Sequence, residues 1–286
     1  MKFLKLAALP LFLAVASTAN AQIAVSANDN KVVLDNGAVK VVPNPPPDTV
    51  SIIDLSSMPP KLVTEIQAPA SVVGPPGSVA VAPDESYALV AAAMKIDPAD
   101  PTKQAPDDKL SVIDLKSSPP KVVDTITVGK GAAGVSINRA GTLALVANRS
   151  EGTVSVLTIS GGKVTEKEKI KLGEANSGPS QPVFTPDGTM ALVTRDNDHK
   201  ISVLSVQGDR VEYTKRDINA GLRPYQIDVA GTGEVAVVAN IGIGQGDADT
   251  ISLIDLKAKP PRVVNTVSVG QTPEGSRCRR TAATSR

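Results

Sequence analysis

Tryptophan is absent from this 286-residue chain, which holds one Cys, one His, three Phe and three Tyr. Phe3 and Phe12 lie near the start, so the body carries only Phe184, Tyr87, Tyr213 and Tyr225 as aromatic residues. A stacking platform for bases or sugars needs more than that. The single Cys278 excludes internal disulfides, CxxC redox chemistry and c-type haem attachment. The single His199 excludes multi-His metal sites. Neither sign of charge dominates: Lys and Arg number 30, Asp and Glu 29. Setting aside residues 1–21 and 276–286 leaves 24 basic against 29 acidic residues. The body therefore lacks a nucleic-acid footprint.

One long apolar run exists, Leu6 to Ala16, preceded by Lys2 and Lys5 and followed by Ala19-Asn20-Ala21. A positive start, a short apolar stretch and a small-x-small site predict a signal peptide over 1–21 and a mature start at Gln22. The run is too short to span a bilayer, which needs about 20 residues. The expectation is a periplasmic or secreted protein with no membrane span.

What the chain has is repetition. Ser51-Ile52-Ile53-Asp54-Leu55, Ser111-Val112-Ile113-Asp114-Leu115 and Ser252-Leu253-Ile254-Asp255-Leu256 are near copies. Ser155 to Ile159 and Ser202 to Val206 fill the same slot, at spacings of 60, 44, 47 and 50 residues along the series. A second element precedes each later copy: Tyr87 to Val90, Leu143 to Val146, Met190 to Val193 and Val235 to Val238. A third follows two of them, Val122 to Gly129 and Val263 to Gly270. The fourth period reads as four strands: Gln181 to Thr185, Met190 to Arg195, Lys200 to Val206 and Val211 to Ile218. Its Pro186-Asp187-Gly188 suits a tight turn. β-Branched residues, no helical periodicity and regular turn signals make this all-β. Four-stranded units in tandem predict a β-propeller over 22–275, since solenoid periods are mostly shorter or helical.

Gly178-Pro179, Phe184 to Val193 and Ile201 to Leu204 resemble the YVTN-type propeller repeat, a group that includes YncE-like and lactonase-like proteins. The resemblance covers about residues 30–275. Ala88 and Ala191 stand where that family has Tyr, and a Pro/Asp-rich insertion, Lys95 to Asp108, interrupts the second repeat. With Pro98, Pro101 and Pro106 the insertion is expected to be an exposed loop. The family's propellers usually close with seven blades, and five repeats plus the start of a sixth are legible.

Residues 276–286, SRCRRTAATSR, do not continue the sixth repeat. They match a one-base-shifted reading of GC-rich codons for LALSPDGRYLA, which aligns without a gap to Pro182 through Leu192. The tail is thus expected to be out of frame and disordered, by pseudogene or sequencing artefact. Cys278 and the tail arginines then carry no function, and the repeats form an open arc of a larger ring. The intact ring is expected to be monomeric.

The resemblance to propellers places the strand-two-to-three and interblade connections at one mouth of the channel. Ligand-binding candidates there are Asn148, Arg149, Arg195, Asp196, Arg223 and Asn240, beside interblade Glu174 and Asn219. Arg195 and Asn240 share the slot of Asn148, where Asn commonly satisfies loop backbone. Two guanidinium groups, Arg195 and Arg223, suit a carboxylate or phosphate. The alternative is an Arg paired with Asp196 or Asp198. His199 and Arg195 are the catalytic candidates, His199 as a general base; a solvated loop His is the competing reading. No G-x-S-x-G elbow accompanies His199. Asp196 with Asp198, and Asp247 with Asp249, have D-x-D spacing without an EF-hand's Gly and distal Glu, so no metal is expected. Gly242 to Gly246 lies between strands, without the helix of a phosphate loop. No cofactor is implied.

The first functional reading is an exported binding or scaffold protein, not an enzyme, that takes a small molecule or protein at the mouth. A lactonase-like hydrolase is the alternative implied by the resemblance. A propeller subunit of a periplasmic dehydrogenase ranks last, with no tryptophan-derived cofactor and no haem site.

Overall fold

A computed structural model describes residues 22–36, 38–246 and 248–278; residues 1–21, where a signal peptide is expected, and residues 279–286 of the tail lie outside them. Strand β1 (Ile23–Asn28) is followed by a hairpin, β2 (Val32–Asp35) and β3 (Ala38–Val41), and then by β4 (Thr49–Asp54) and β5 (Lys61–Gln67). Strands β1, β4 and β5 form a three-stranded blade 1. Blade 2 is β6 (Val79–Val81), β7 (Tyr87–Ile96), β8 (Gln104–Asp114) and β9 (Lys121–Thr127). Blade 3 is β10 (Ala132–Ile137), β11 (Leu143–Asn148), β12 (Thr153–Ser160) and β13 (Lys163–Lys171). Blade 4 is β14 (Pro179–Phe184), β15 (Met190–Arg195), β16 (Lys200–Gln207) and β17 (Arg210–Ile218). Blade 5 is β18 (Pro224–Val229), β19 (Val235–Asn240), β20 (Thr250–Asp255) and β21 (Arg262–Ser268). The chain is all-β, built from antiparallel blades as a β-propeller is. Among the described residues blade 1 has three strands rather than the expected four, and β1 ends in Asn28 as strand two of blades 3 and 5 ends in Asn148 and Asn240.

Each middle strand is apolar on both faces because it packs between two neighbours. On β11, Leu143 and Leu145 join Phe184, Val193 and Leu204 of blade 4. Ala144 and Val146 turn the other way, towards Leu89, Leu110 and Val112 of blade 2. Four such cores link consecutive blades, and among the described residues no fifth joins blade 5 to blade 1. Burial of each large aliphatic side chain stabilises by about 1.5–3 kcal/mol. Outer strands see solvent, and β13 accordingly reads Lys163, Glu166, Lys167, Glu168, Lys169 and Lys171.

The repeats also share their irregularities. A bulge interrupts the pairing of strands three and four at Ile52/Ile53, Val112/Ile113, Val156/Leu157, Val203/Leu204 and Leu253/Ile254. A bulge adds local twist, and each blade takes it at one place. In blades 2 and 5 the Asp near the end of strand three closes the next turn: Asp114 Oδ1 accepts from Lys116 N at 2.8 Å, and Asp255 Oδ1 from Lys257 N at 2.9 Å.

The insertion Lys95 to Asp108 is a hairpin arm rather than a loop. Strands β7 and β8 run on into it, with Met94 opposite Pro106 and Ile96 opposite Gln104. Pro98 and Pro101 fall in the tip. Pro106 is tolerated because β9 pairs with β8 only from Lys109 onward, so no interior ladder bond is lost. The β2–β3 hairpin rises from the corresponding connection of blade 1.

Candidate functional site

In blades 3, 4 and 5 the strand-two-to-three connection is stitched to the interblade turn before it. Arg149 N donates to Gly131 O at 2.9 Å, Asp196 N to Gly178 O at 3.1 Å and Ile241 N to Arg223 O at 3.0 Å. These bonds gather the connections into one mouth, and two adjacent slots in each blade then matter.

The first slot holds a clamp. Asn148 Nδ2 donates to Thr153 Oγ1 and Ser155 Oγ, both at 2.9 Å, and Asn240 Nδ2 to Thr250 Oγ1 at 3.0 Å and Ser252 Oγ at 2.9 Å. Asn28 does the same with Thr49 and Ser51. Both Asn148 and Asn240 are buried inside their own blades. In blade 2 the slot is Ala92, and Ser111 Oγ is left without a partner. Arg195 fills the slot in blade 4 and is also buried rather than at the mouth. Its guanidinium pairs with Asp217 at 2.8 Å and Asp198 at 3.3 Å, and donates to Leu172 O. Asp217 Oδ1 in turn accepts from Tyr213 Oη at 2.6 Å and Ser202 Oγ at 3.1 Å.

The next slot faces the mouth and carries Asp29, Ala93, Arg149, Asp196 and Ile241. Arg149 grips Asp196 with both nitrogens, at 3.0 and 3.1 Å. Arg223 reaches the same carboxylate from the blade 4–5 turn, at 3.0 Å. Asp196 is fully buried, while Arg149 and Arg223 keep 18% and 33% of their side chains exposed. Ser180 Oγ lies 2.8 Å from Asp196 Oδ1. The Arg149 guanidinium stands 5.5 Å over the Tyr225 ring, a cation–π arrangement that fixes its plane.

Arg223 adopts φ 56°, where the equivalent residues of blades 3 and 4 are Gly131 (φ 73°) and Gly178 (φ 66°). A side chain is held in a conformation that glycine takes in blades 3 and 4, and Thr272 (φ 48°) takes it at the start of the next repeat. Its backbone N donates to His199 Nδ1 at 3.2 Å. The proton of the neutral imidazole therefore sits on Nε2, and the ring's lone pair is already engaged. His199 is exposed and buttresses Arg223.

Of the residues singled out by sequence, Arg149, Asp196, Arg223 and His199 come together. Asn148, Arg195 and Asn240 do not join them. Glu174 points to Lys171 at 2.9 Å, and Asn219 is exposed. Tyr225 and Ser180 were not singled out; both directly follow a turn Pro or Gly-Pro, a signal a mouth residue shares with any strand start. Asp247 lies outside the described residues. Asp249 Oδ2 accepts from Thr272 N at 2.7 Å, and no cluster of three or more His, Cys, Asp or Glu stands together among the described residues.

Burial raises the Tyr225 hydroxyl to about 12, with Asp196 and Glu274 adding to the rise and Arg149 and Arg223 opposing it. Tyr87, half-buried on the far face beside Asp84, is also raised to about 12. Tyr213 is raised by burial and by its bond to Asp217. An acid that keeps its proton longer when folded destabilises the fold once the unfolded chain ionises. The contribution of these tyrosines to stability is thus expected to be constant up to pH 10 and to fall between pH 10 and about 12. Ultraviolet titration checks this: tyrosinate absorbance that develops in the native protein with a midpoint at pH 10 contradicts it.

No family profile matches the chain, and no curated protein matches its sequence. Its fold is similar to solved structures of low identity. A functionally unknown protein of Desulfotomaculum acetoxidans aligns at 17% identity and TM-score 0.61, over 79% of this chain and 64% of that one. Hydrazine synthase of Kuenenia stuttgartiensis aligns at 21% identity and TM-score 0.54, over 71% of this chain and 51% of that one. The periplasmic gluconolactonase of Pseudomonas aeruginosa aligns at 16% identity and TM-score 0.60, over 83% and 68%. The chain spans less than two thirds of the first two proteins. These likenesses show the propeller fold.

Proposed function

We propose that this chain is an exported YVTN-type propeller that binds a small anion at its mouth without turning it over. The observation that carries this reading is a pair of guanidinium groups, Arg149 and Arg223, oriented by one buried carboxylate, Asp196. One positive charge remains unmatched in the trio. Arg223 Nε has no hydrogen-bond partner. Preset guanidinium forks suit carboxylates and phosphates. The left-handed backbone of Arg223 costs about 1 kcal/mol relative to glycine, a cost that Thr272 also carries at the same position of the next repeat.

The test is Arg223→Gly. It is expected to leave the melting temperature unchanged or higher, while affinity for acetate or inorganic phosphate, read by calorimetry, falls at least tenfold. Unchanged affinity refutes the reading. A second reading, lactone hydrolysis, draws on the name of the gluconolactonase neighbour. Turnover of glucono-δ-lactone above the buffer rate that disappears in Arg149→Met would replace binding with catalysis.

A further inference from the structure

The mouth is not only cationic. Leu222 and Ile243 lie on facing segments next to Arg223, joined by the bond from Gly242 N to Leu222 O at 3.1 Å. They are 45% and 53% exposed. Large aliphatic side chains in water beside a guanidinium pair form an amphipathic edge, one end charged and the other dry.

The hydroxyls beside the pair are engaged. Ser180 Oγ contacts Asp196 and Gly178 O, and Thr194 Oγ1 donates to Tyr225 O at 2.6 Å. A polyhydroxylated ligand needs free donors and acceptors to replace its water, and these hydroxyls do not supply them. The charge left over is a single unit, since Asp196 balances one of the two arginines. A dianion would place its surplus negative charge near Asp196 and exposed Glu274.

We infer that the site takes a monocarboxylate with an apolar body, its carboxylate between Arg149 and Arg223 and its chain along Leu222 and Ile243. This rests on the anion-binding reading and narrows it to one chemical class.

The probes are acetate, hexanoate, gluconate and inorganic phosphate, titrated calorimetrically into the wild type and into Leu222→Ser/Ile243→Ser. Both substituted positions are exposed, so folding is preserved. Hexanoate is expected to bind at least tenfold tighter than acetate, gluconate or phosphate. In the double variant hexanoate is expected to fall to the level of acetate, with acetate itself unchanged. Gluconate or phosphate matching hexanoate, or a double variant that keeps full hexanoate affinity, overturns this inference and leaves anion binding intact. If no probe binds, the anion-binding reading fails with it.

Discussion

Arg195→Ala is expected to destabilise the protein by about 3–5 kcal/mol, the usual cost of removing one member of a buried ion pair. Arg195 has 5% of its side chain exposed and Asp217 20%. Without the guanidinium, Asp217 keeps the Tyr213 and Ser202 hydroxyls and the more distant Lys200 ammonium, at 3.9 Å, and Leu172 O loses a donor. The repeats suggest the rescue. Arg195 faces Lys200 across strands two and three, as Asn148 faces Thr153 and Asn240 faces Thr250. Arg195→Asn with Lys200→Thr rebuilds the clamp of blades 3 and 5 around Ser202. It is expected to recover more than half of the loss. Urea midpoints for the two variants decide the matter; an Arg195→Ala protein as stable as wild type would show that the pair contributes nothing.

Gly134→Ala is expected to cost about 3 kcal/mol, at the upper end of overpacking penalties. A Cβ on Gly134 would sit 2.7 Å from Gln181 Oε1 and 2.9 Å from Gln181 Cα, and nearer still to Ser180 O. Two of those three atoms are backbone, so relief requires β10 and β14 to separate. Gly161→Ala is the control. Its φ is +57° and nothing lies within 4 Å of the added carbon, so it should lose only the roughly 1 kcal/mol of a left-handed alanine. Unfolding midpoints that rank these two the other way would mean that inner strands of adjacent blades are loosely packed.

The blades were legible because three physical signals repeat in register. Strand three is written as Ser, two apolar positions, an Asp, Thr or Ser, and a closing aliphatic residue; strand two is a run buried on both faces; Pro186-Asp187-Gly188 forces a turn. For blade 4 the strand bounds read from sequence agree with the structure to within two residues. Contacts between repeats are not written locally. Nothing near Arg195 announces that its partner is Asp217, two strands away, and nothing near Gly134 announces Gln181 of the next blade. The prolines of the insertion argued for a loop, and only the short reach of β9 shows why a hairpin tolerates them. At the mouth, the residue types were readable but their grouping was not. Arg149 and Arg223 stand in different repeats, and the glycine that Arg223 replaces is visible only once the blades are superimposed.

The two hairpin arms give the mouth a direction. Both rise from neighbouring blades, 1 and 2, whereas blades 3 and 4 turn back within four residues, at 149–152 and 196–199. Arg149 and Asp196 stand in the short connections of blades 3 and 4 and Arg223 in the blade 4–5 turn, on the low side of this parapet, while the blade 5 connection, 241–249, is of intermediate length. A diffusing solute that approaches across the tall side meets β-hairpins before it meets charge. One that approaches across the low side meets the guanidinium groups first, with no barrier to cross. Approach to the mouth is therefore expected to be anisotropic, and a bulky label at exposed Asn197 should slow association of the proposed anion far more than the same label at exposed Thr102, in the tip of the arm.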